Sequence, residues 1–223
     1  MFELEHPSYN WETQYVIEQS LKDTYFAINR WLVLPNTSLC RLRYGRKQQL
    51  KLHLGCGDHY IPGMINIDGN IRRKKECWLD LRNRLPFGDN SASLIYCSHT
   101  LEHLFPCEAI DLLREMRRVL APEGVVRLAV PSFERCLSIL AGEDFSDWPR
   151  SFQDRHSQVL NYLFCDGQHK YGYCHANLSK FCEEAGFSRI EPYSAEHGVT
   201  PKMYGDLELG REPKGSLVLE LYK

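Results

Sequence analysis

The stretch LKLHLGCGDHYIPGMINID, residues 50–68, decides the fold class of this chain. Its first five residues, 50–54, form an apolar run that predicts a β-strand, and the run leads directly into the turn Gly55-Cys56-Gly57. Residues 64–67 predict a second strand, which ends at Asp68. Glycine has no Cβ and can adopt positive φ, so this turn allows a ligand to approach the backbone closely. The carboxylate that ends the second strand can accept hydrogen bonds from such a ligand.

Strands and helices alternate through the rest of the chain. The clearest helix is followed by Pro122-Glu123-Gly124 and carries, at spacings of three and four, Ala109, Leu112, Leu113, Met116, Val119 and Leu120. Another helix is predicted at residues 177–185, and further strands are predicted at residues 77–79, 94–97, 125–131, 189–193 and 216–222. This alternation predicts an α/β fold with a Rossmann-like, mostly parallel sheet and helices on both faces. Ligands of such sheets bind beyond the carboxyl ends of the strands. The residues predicted at those ends are Gly55, Asp68, Asp80 and Ser98.

Two segments lie outside this alternation. The first, residues 10–34, predicts a helix that Pro35 ends and that is followed by a basic connector; one face of this helix carries Leu21, Tyr25, Ile28 and Leu32. We therefore expect an N-terminal helical extension over residues 1–46 and the main domain over residues 47–223. The second segment, residues 132–175, is rich in aromatic residues and has no clear periodicity. A connection of this length more often has a function than not, and we expect it to form a wall of the acceptor pocket.

Composition narrows the classes of partner. The chain has 223 residues, a net charge of −2 and a pI of about 6.5, so no overall field favours nucleic acid or an anionic membrane. We therefore expect no nucleic-acid partner. No apolar stretch reaches the ~18 residues of a membrane helix, so we expect no integral membrane segment.

The cysteines indicate a reducing compartment rather than a disulfide framework. Their number is nine, and the N-terminus has no signal-peptide pattern, so we expect reduced thiols and a cytoplasmic location. The nearest set to a metal cluster is Cys165, His169, Cys174, His175 and Cys182. Because Cys182 falls on an apolar helical stripe, where a thiol packs as a hydrophobic residue, we expect no metal site.

The glycine turn and Asp68 together predict a nucleoside-binding site, and two cofactor classes compete for it. A dinucleotide site needs a third glycine that opens a helix, and its acidic residue lies ~20 positions further on. Here Tyr60 stands at the third glycine position, and Asp68 follows Gly57 by only eleven residues. Pro62-Gly63 leaves no room for a full helix between the two strands, which disfavours a nicotinamide-dependent oxidoreductase.

Three segments carry a resemblance to a known family: LHLGCG, LPFGDNSASLIYCSHTLEHL and LLREMRRVLAPEGVVRLAVP. In this order they resemble the class I S-adenosylmethionine-dependent methyltransferases, and the similarity covers residues 50–131 well and residues 169–223 loosely. The finer likeness is to small bacterial members with a short LGCG…INID loop and a later HKYG segment. The resemblance implies a seven-stranded sheet whose last strand, 216–222, is antiparallel. It also implies S-adenosyl-L-methionine as the cofactor.

The resemblance further implies a role for each matching position. Gly55, Cys56 and Gly57 would line the methionine end of the cofactor, and Asp68 would hold its ribose. Asp80 and Leu81 would meet the adenine, with Asp80 accepting a hydrogen bond from the exocyclic amine. Ser98 and His99 would lie beside the sulfonium. The family often has an acidic residue where this chain has His53.

The acceptor of the methyl group is expected to be a small molecule or a glycan, methylated at oxygen. An oxygen acceptor must lose its proton, and histidine is the natural base near neutral pH. The candidates are His99, Glu102, His103, His169, Tyr171 and His175. We favour His169 and His103, and we expect His169 to lie near the transferred methyl group. The alternative from a different class is a non-catalytic methyltransferase-like binding module.

Overall fold

The computed structural model describes residues 14–145, 154–193 and 215–223, and in α1 the side chains from residue 21 onwards except that of residue 23. Within these ranges the elements are α1 (Gln14–Leu32), α2 (Leu34–Tyr44), β1 (Leu50–Leu54), β2 (Ile65–Asp68), β3 (Cys77–Trp78), β4 (Ala92–Ser98), α3 (Pro106–Val119), β5 (Leu120–Pro131), α4 (Phe133–Leu140), α5 (Arg155–Phe164), α6 (His175–Glu184), β6 (Arg189–Pro192) and β7 (Ser216–Tyr222). A 3₁₀ turn, Leu101–His103, links β4 to α3. Among the described helices, none combines the length and apolarity that a membrane crossing requires.

The seven strands form one sheet in the order β3-β2-β1-β4-β5-β7-β6. The pairs from β3 through β5 are parallel, whereas β7 is antiparallel to both β5 and β6. The predicted Rossmann-like, mostly parallel sheet with a reversed last strand is therefore confirmed. Strand order reverses between β1 and β4, so the carboxyl ends of these two strands flank the crevice where such sheets bind ligands.

The larger hydrophobic core covers one face of this sheet. Leu52 pairs with Ile95, which pairs with Val126, so apolar side chains continue from strand to strand on this face. The apolar stripe predicted for α3 packs against them, together with Leu178 and Cys182 of α6. Cys182 is fully buried, and burial raises the pKa of its thiol to about 12, so it packs as a small apolar side chain.

The N-terminal segment differs from the prediction in two ways. The basic stretch after Pro35 is not a connector but helix α2, in which the proline occupies the first turn, where no backbone donor is needed. In α1 Tyr25 is half-buried and Asn29 is buried, as is Val33 directly after the helix, whereas the rest of the predicted face is exposed, namely Leu21, Ile28 and Leu32. Polar anchoring selects this face, because the Tyr25 hydroxyl donates to the carbonyl of Gly69 at 2.7 Å.

Residues 132–175 are more regular than their sequence predicts, because they contain α4 and α5. Each helix begins at a polar cap: the Ser132 hydroxyl accepts from the amide of Arg135, and the Asp154 carboxylate accepts from the amide of Ser157. With eight and ten residues, the two helices are too short for an apolar period to stand out. Two aromatic residues of this segment, Trp148 and Phe152, lie outside the described residues.

The second face of the sheet carries a buried row of polar side chains. Strand pairing places them in the order Asn66, His53, Tyr96, Arg127 and Glu220, from β2 to β7. The side chain of His53 is 2 % exposed, and its Nδ1 lies 3.0 Å from Oδ1 of Asn66. Where the family often has an acidic residue, this chain therefore has an imidazole that takes part in the packing of the sheet.

We predict that His53 makes the fold sensitive to acid. Burial lowers the pKa of His53 from 6.5 to about 4, so the unfolded chain takes up a proton at a higher pH than the folded chain does. The neutral imidazole of His53 therefore makes its full contribution to the free energy of unfolding above pH 6.5, and this contribution is lost as the pH falls towards 4. From these values the free energy of unfolding should drop by about 2.5 kcal/mol between pH 7.5 and 4.5. Urea unfolding of the wild type and of His53→Gln at the two pH values measures this difference.

The control is His156→Gln, since His156 is an exposed histidine of α5. This variant should keep the pH dependence of the wild type, whereas His53→Gln should reduce it by the stated amount. Equal pH dependence in the wild type and His53→Gln would contradict the assignment.

Candidate active site

The glycine turn after β1 depends on both of its glycines. Gly55 has φ +67°, and a Cβ there would lie 2.1 Å from Oγ1 of Thr100, so only glycine fits. Gly57 has φ +50°, but a Cβ there would meet no described atom within 4 Å. The backbone at Gly57 therefore borders open space, whereas Gly55 packs against the segment that follows β4.

Asp68 closes this turn from the end of β2. Its Oδ2 accepts from the amide of Gly57 at 2.8 Å, and its Oδ1 accepts from the amide of Asn70 at 2.6 Å. Each carboxylate oxygen has further acceptor capacity, so Asp68 can hold the turn and also accept from a ligand. Cys56 between the glycines is buried, and burial raises the pKa of its thiol to about 12, which leaves it neutral.

The carboxylate of Asp80 is paired with Arg82. Its Oδ2 pairs with Nη2 of Arg82 at 2.6 Å, and its Oδ1 accepts from the Arg82 backbone and Nε. The same guanidinium donates to the carbonyl of Phe26 in α1, so the loop after β3 is tied to the N-terminal extension. The adjacent Leu81 is partly buried against the main core.

Helix α1 brings a buried amide to the loop after Asp68. Asn29 is 1 % exposed, and within the described residues neither its Oδ1 nor its Nδ2 has a hydrogen-bond partner. The nearest atom to a Cβ built on Gly69 would be Nδ2 of Asn29, at 3.2 Å. Asn29 was not predicted to be buried, because apolar positions alone define the predicted face of this helix. Its spacing of four residues from both Tyr25 and Val33 is the sequence feature that indicates the buried face.

The segment after β4 positions the histidines. Ser98 ends the strand, and His99 adopts a left-handed conformation with φ 49°. The His99 ring links two elements, because its Nε2 lies 2.8 Å from Oγ of Ser216 and its Nδ1 lies 3.3 Å from Oε1 of Glu102. Thr100, whose side chain contacts the Gly55 turn, lies between His99 and the Leu101–His103 turn.

Glu102 is the centre of a cluster formed with His103 and His169. One ligand-type atom from each of the three side chains lies within 4.8 Å of the other two. Nε2 of His169 is 3.8 Å from Oε1 of Glu102, and the rings of His103 and His169 meet edge to face at 4.9 Å. We call these three residues the Glu102 cluster. The structure thus brings together both favoured histidines and the carboxylate that was a candidate beside them.

His169 reaches this cluster because the end of the 132–175 segment is hydrogen-bonded to the turn after β4. The carbonyl of Glu102 accepts from the amides of Lys170 and Tyr171, at 2.7 and 3.3 Å. Nδ1 of His169 lies 2.8 Å from the carbonyl of Leu163, at the end of α5. Burial lowers the pKa of His169, so its ring is neutral near pH 7.

The remaining candidates lie outside the cluster. The ring of Tyr171 stacks on Phe181 of α6 with 5.6 Å between centroids and packs against the core. His175 is exposed at the start of α6, where its backbone amide donates to Glu134. Tyr171 is therefore part of the packing of the core, and His175 lies at the surface.

Comparison with known proteins relates part of the sequence and the fold to methyltransferases. Residues 60–128 match the family model described as a methyltransferase domain. A S-adenosylmethionine-dependent methyltransferase from Archaeoglobus fulgidus superposes with a TM-score of 0.50 and 16 % identity, over 95 % of this chain and 100 % of that one. The fold is thus that of the S-adenosylmethionine-dependent methyltransferases, and residues 60–128 are similar to a methyltransferase domain. A further S-adenosylmethionine-dependent methyltransferase, from Thermotoga maritima, has a TM-score of 0.48 and 14 % identity, over 92 % of this chain and 95 % of its own chain. Among curated proteins, none matches.

The matched methyltransferase domain and the fold support the predicted enzyme class, a methyltransferase with S-adenosyl-L-methionine as its cofactor. The structure adds the Glu102 cluster, which begins two residues beyond Thr100, whose side chain contacts Gly55 of the glycine turn.

Proposed function

We propose that the enzyme methylates a hydroxyl oxygen of a small-molecule or saccharide acceptor. The observation that carries this proposal is the position of the Glu102 cluster, two residues beyond Thr100, whose side chain lies against Gly55. Neutral imidazole nitrogens and a carboxylate are groups that orient a hydroxyl and help to remove its proton. With such groups beside the cofactor turn, much of the catalysis can come from holding the acceptor oxygen in line with the methyl carbon.

We infer that the cofactor lies along the carboxyl ends of β1, β2 and β4. Three local features support this: the open space beside Gly57, the carboxylate of Asp68 with spare acceptor capacity, and the buried unpartnered amide of Asn29 near Gly69. The residues that we assign to the cofactor are Gly55, Cys56, Gly57, Asp68, Asp80, Leu81, Ser98 and His99. For Asp80 this assignment requires its carboxylate to accept from the adenine while it stays paired with Arg82.

On the acceptor side we assign the main catalytic roles to His169 and His103. Nδ1 of each ring points to a backbone carbonyl, Leu163 for His169 and Gln168 for His103. A carbonyl only accepts, so in the neutral ring the proton resides on Nδ1, and Nε2 keeps its lone pair. That nitrogen is the one able to receive the proton of an acceptor hydroxyl.

The chain organisation and location belong to the same proposal. We assign residues 1–46 to an N-terminal extension, residues 47–223 to the methyltransferase domain and residues 132–175 to an insert on the acceptor side. The contacts of Tyr25 and Arg82 between α1 and the loops after β2 and β3 support a role of the extension in walling the cofactor site. Free cysteines favour a cytoplasmic enzyme, and a net charge of −2 disfavours nucleic acid and anionic membrane as partners.

We predict that Asp68→Ala weakens binding of S-adenosylhomocysteine by about 1–3 kcal/mol, because buried polar groups of the ribose lose their acceptor. The variant also loses the acceptor for the amides of Gly57 and Asn70, which loosens the turn. Isothermal titration of the wild type and the variant measures the difference. A screen of sugars, nucleotide-sugars and hydroxylated metabolites for formation of S-adenosylhomocysteine then identifies the acceptor.

Asp58→Ala is the matched control, since Asp58 lies on the same loop but is exposed and paired with Arg73. Its affinity for S-adenosylhomocysteine should equal that of the wild type. Unchanged affinity in Asp68→Ala, with the variant still folded, would remove the ribose assignment.

A further inference from the structure

The carboxylate of Glu102 is buried and lacks a hydrogen-bond donor among the described residues. The residue is 1 % exposed, and neither Oε1 nor Oε2 accepts a hydrogen bond from the described part of the chain. An ionised carboxylate in such a position is costly unless positive charge or hydrogen-bond donors compensate it. The groups around it are imidazoles, with His99 at 3.3 Å and His169 at 3.8 Å from Oε1.

In two of the imidazoles, His103 and His169, Nδ1 faces a backbone carbonyl. Nδ1 of His169 is 2.8 Å from the carbonyl of Leu163, and Nδ1 of His103 is 3.3 Å from the carbonyl of Gln168. Each neutral ring therefore has an unprotonated Nε2. For His169 this lone pair faces an oxygen of Glu102 at 3.8 Å, and two lone pairs repel each other unless a proton or a metal cation lies between them.

We propose that Glu102, His103 and His169 bind one divalent transition-metal cation, of the class of Zn²⁺ or Co²⁺, on the acceptor side of the active site. Two imidazoles and one carboxylate are a donor set that holds such cations and leaves positions open for a substrate. The backbone carbonyls behind His103 and His169 are the supports that metal-binding histidines characteristically have, because they fix the tautomer and direct the other nitrogen to the metal. This inference rests on the proposed function, whose acceptor would occupy the open positions.

The spacing of the three residues allows this site to form by a small movement. Their ligand-type atoms lie within 4.8 Å of one another, whereas ligands about 2.1 Å from a tetrahedral cation are about 3.4 Å apart. The exposed side chain of His103 can make most of this adjustment. Glu102 and His169 are held in place by the hydrogen bonds of the Glu102 carbonyl and of the His169 ring.

Such a cation would activate the acceptor oxygen. A hydroxyl that occupies an open position releases its proton to water more readily, because the cation stabilises the oxygen anion. That oxygen uses a lone pair to form the bond to the methyl carbon as the carbon–sulfur bond breaks, and the electron pair of the broken bond remains on sulfur. The products are the methyl ether, S-adenosylhomocysteine and the released proton. His103 and His169 then act as metal ligands, and the cation replaces them in promoting loss of the acceptor proton.

This site differs from the cysteine-containing set weighed in the sequence analysis, from which no metal site was expected. Cys182 of that set is fully buried in the core. His169 belongs to both sets, and its partners at the proposed site come from the turn after β4, which lies 66 or more residues earlier in the chain.

Titration of the full chain, freed of metals by a chelator, tests the inference. Co²⁺ is added while visible absorption is recorded, and Zn²⁺ is added in a calorimeter. The expected result is one cation per chain with an absorption spectrum of nitrogen and oxygen ligands and no thiolate-to-cobalt band. Glu102→Gln and His169→Ala should each bind the cation at least about 100-fold more weakly, since each removes a direct ligand.

His175→Ala is the control, because it removes an exposed histidine outside the cluster. It should bind Co²⁺ like the wild type. Glu102→Gln keeps the size of the side chain and removes a buried charge, so it should fold, and circular dichroism and thermal melting verify this. Zn²⁺ should raise the melting temperature of the wild type but not that of Glu102→Gln.

The inference is overturned if the wild type binds no cation, if Glu102→Gln binds as tightly as the wild type, or if the cobalt spectrum shows thiolate ligands. In the first case hydrogen bonds from the neighbouring imidazole rings, and not a metal, satisfy the carboxylate of Glu102. A parallel titration with S-adenosylhomocysteine distinguishes failure of the metal site from failure of the proposed function. Cofactor binding without cation binding refutes the metal site alone, whereas the absence of cofactor binding refutes the proposed function.

Discussion

Replacement of His169 with alanine is expected to lower turnover by about 10²–10⁴-fold, the usual contribution of a positioned acid–base group. Affinity for S-adenosylmethionine should stay unchanged, since the ring lies beside Glu102 and His103, on the side that we propose for the acceptor. The side chain is 9 % exposed and is oriented by the carbonyl of Leu163, so its nitrogen has one well-defined direction. The measurement is the rate of S-adenosylhomocysteine formation with the acceptor identified by the screen.

The control variant is His156→Ala, an exposed histidine on α5 that should retain wild-type turnover. Treatment of the wild-type enzyme with a chelator separates the two roles of His169. Loss of activity that Zn²⁺ or Co²⁺ restores indicates a metal ligand, whereas resistance to the chelator indicates a base. Normal turnover in His169→Ala would make His169 a structural residue.

Removal of the Glu220 carboxylate is expected to produce the largest loss of stability. Glu220 of β7 faces Arg127 of β5 across the sheet, with Oε1 3.1 Å from Nη2, and the two side chains are 2 % and 7 % exposed. The guanidinium also lies 3.6 Å above the ring of Tyr193. Breaking a buried pair leaves one charge uncompensated, so Glu220→Ala should lower the free energy of unfolding by about 3–5 kcal/mol. Urea unfolding at pH 7.5 measures this change.

Two further variants test the physical reason. Arg127→Met combined with Glu220→Leu removes both charges and fills the space, so it should recover most of the stability that Glu220→Ala loses. Glu184→Ala breaks an exposed pair with Arg114, between α6 and α3, and should cost at most about 1 kcal/mol. A loss in the double variant as large as that in Glu220→Ala would show that packing, and not charge burial, determines the effect.

The sheet was predictable because its signals are local. Strands β1, β4 and β7 are short runs rich in apolar residues, and the stripe of α3 repeats over enough turns to identify its buried face. Gly55 and Gly57 were recognisable because positive φ selects glycine, and the structure has positive φ at both positions. The reversed direction of β7 was expected only from the family resemblance, because an isolated strand contains no information about its direction in a sheet.

The errors concern short helices and the faces that they bury. The helix α2 contains a proline and four basic or hydroxyl residues beside its apolar ones, and its role becomes clear only from the contact of Asn36 with the carbonyl of Trp78. In α1 the apolar residues indicated one face, but the hydrogen bond of Tyr25 to Gly69 and the burial of Asn29 selected another. Periodicity cannot rank polar anchors against exposed leucines.

The sequence by itself determined the succession of strands and helices along the chain, the glycine turn and the position of Asp68 at the end of the second strand, because these depend on residues close to one another in the chain. Only the tertiary structure decided which histidine meets Glu102. His169 comes 67 residues later, and it reaches the carboxylate because the Glu102 carbonyl accepts from Lys170 and Tyr171 and the Leu163 carbonyl orients its ring. Contacts between residues so far apart depend on loop closure and packing of the whole insert, which local patterns do not encode.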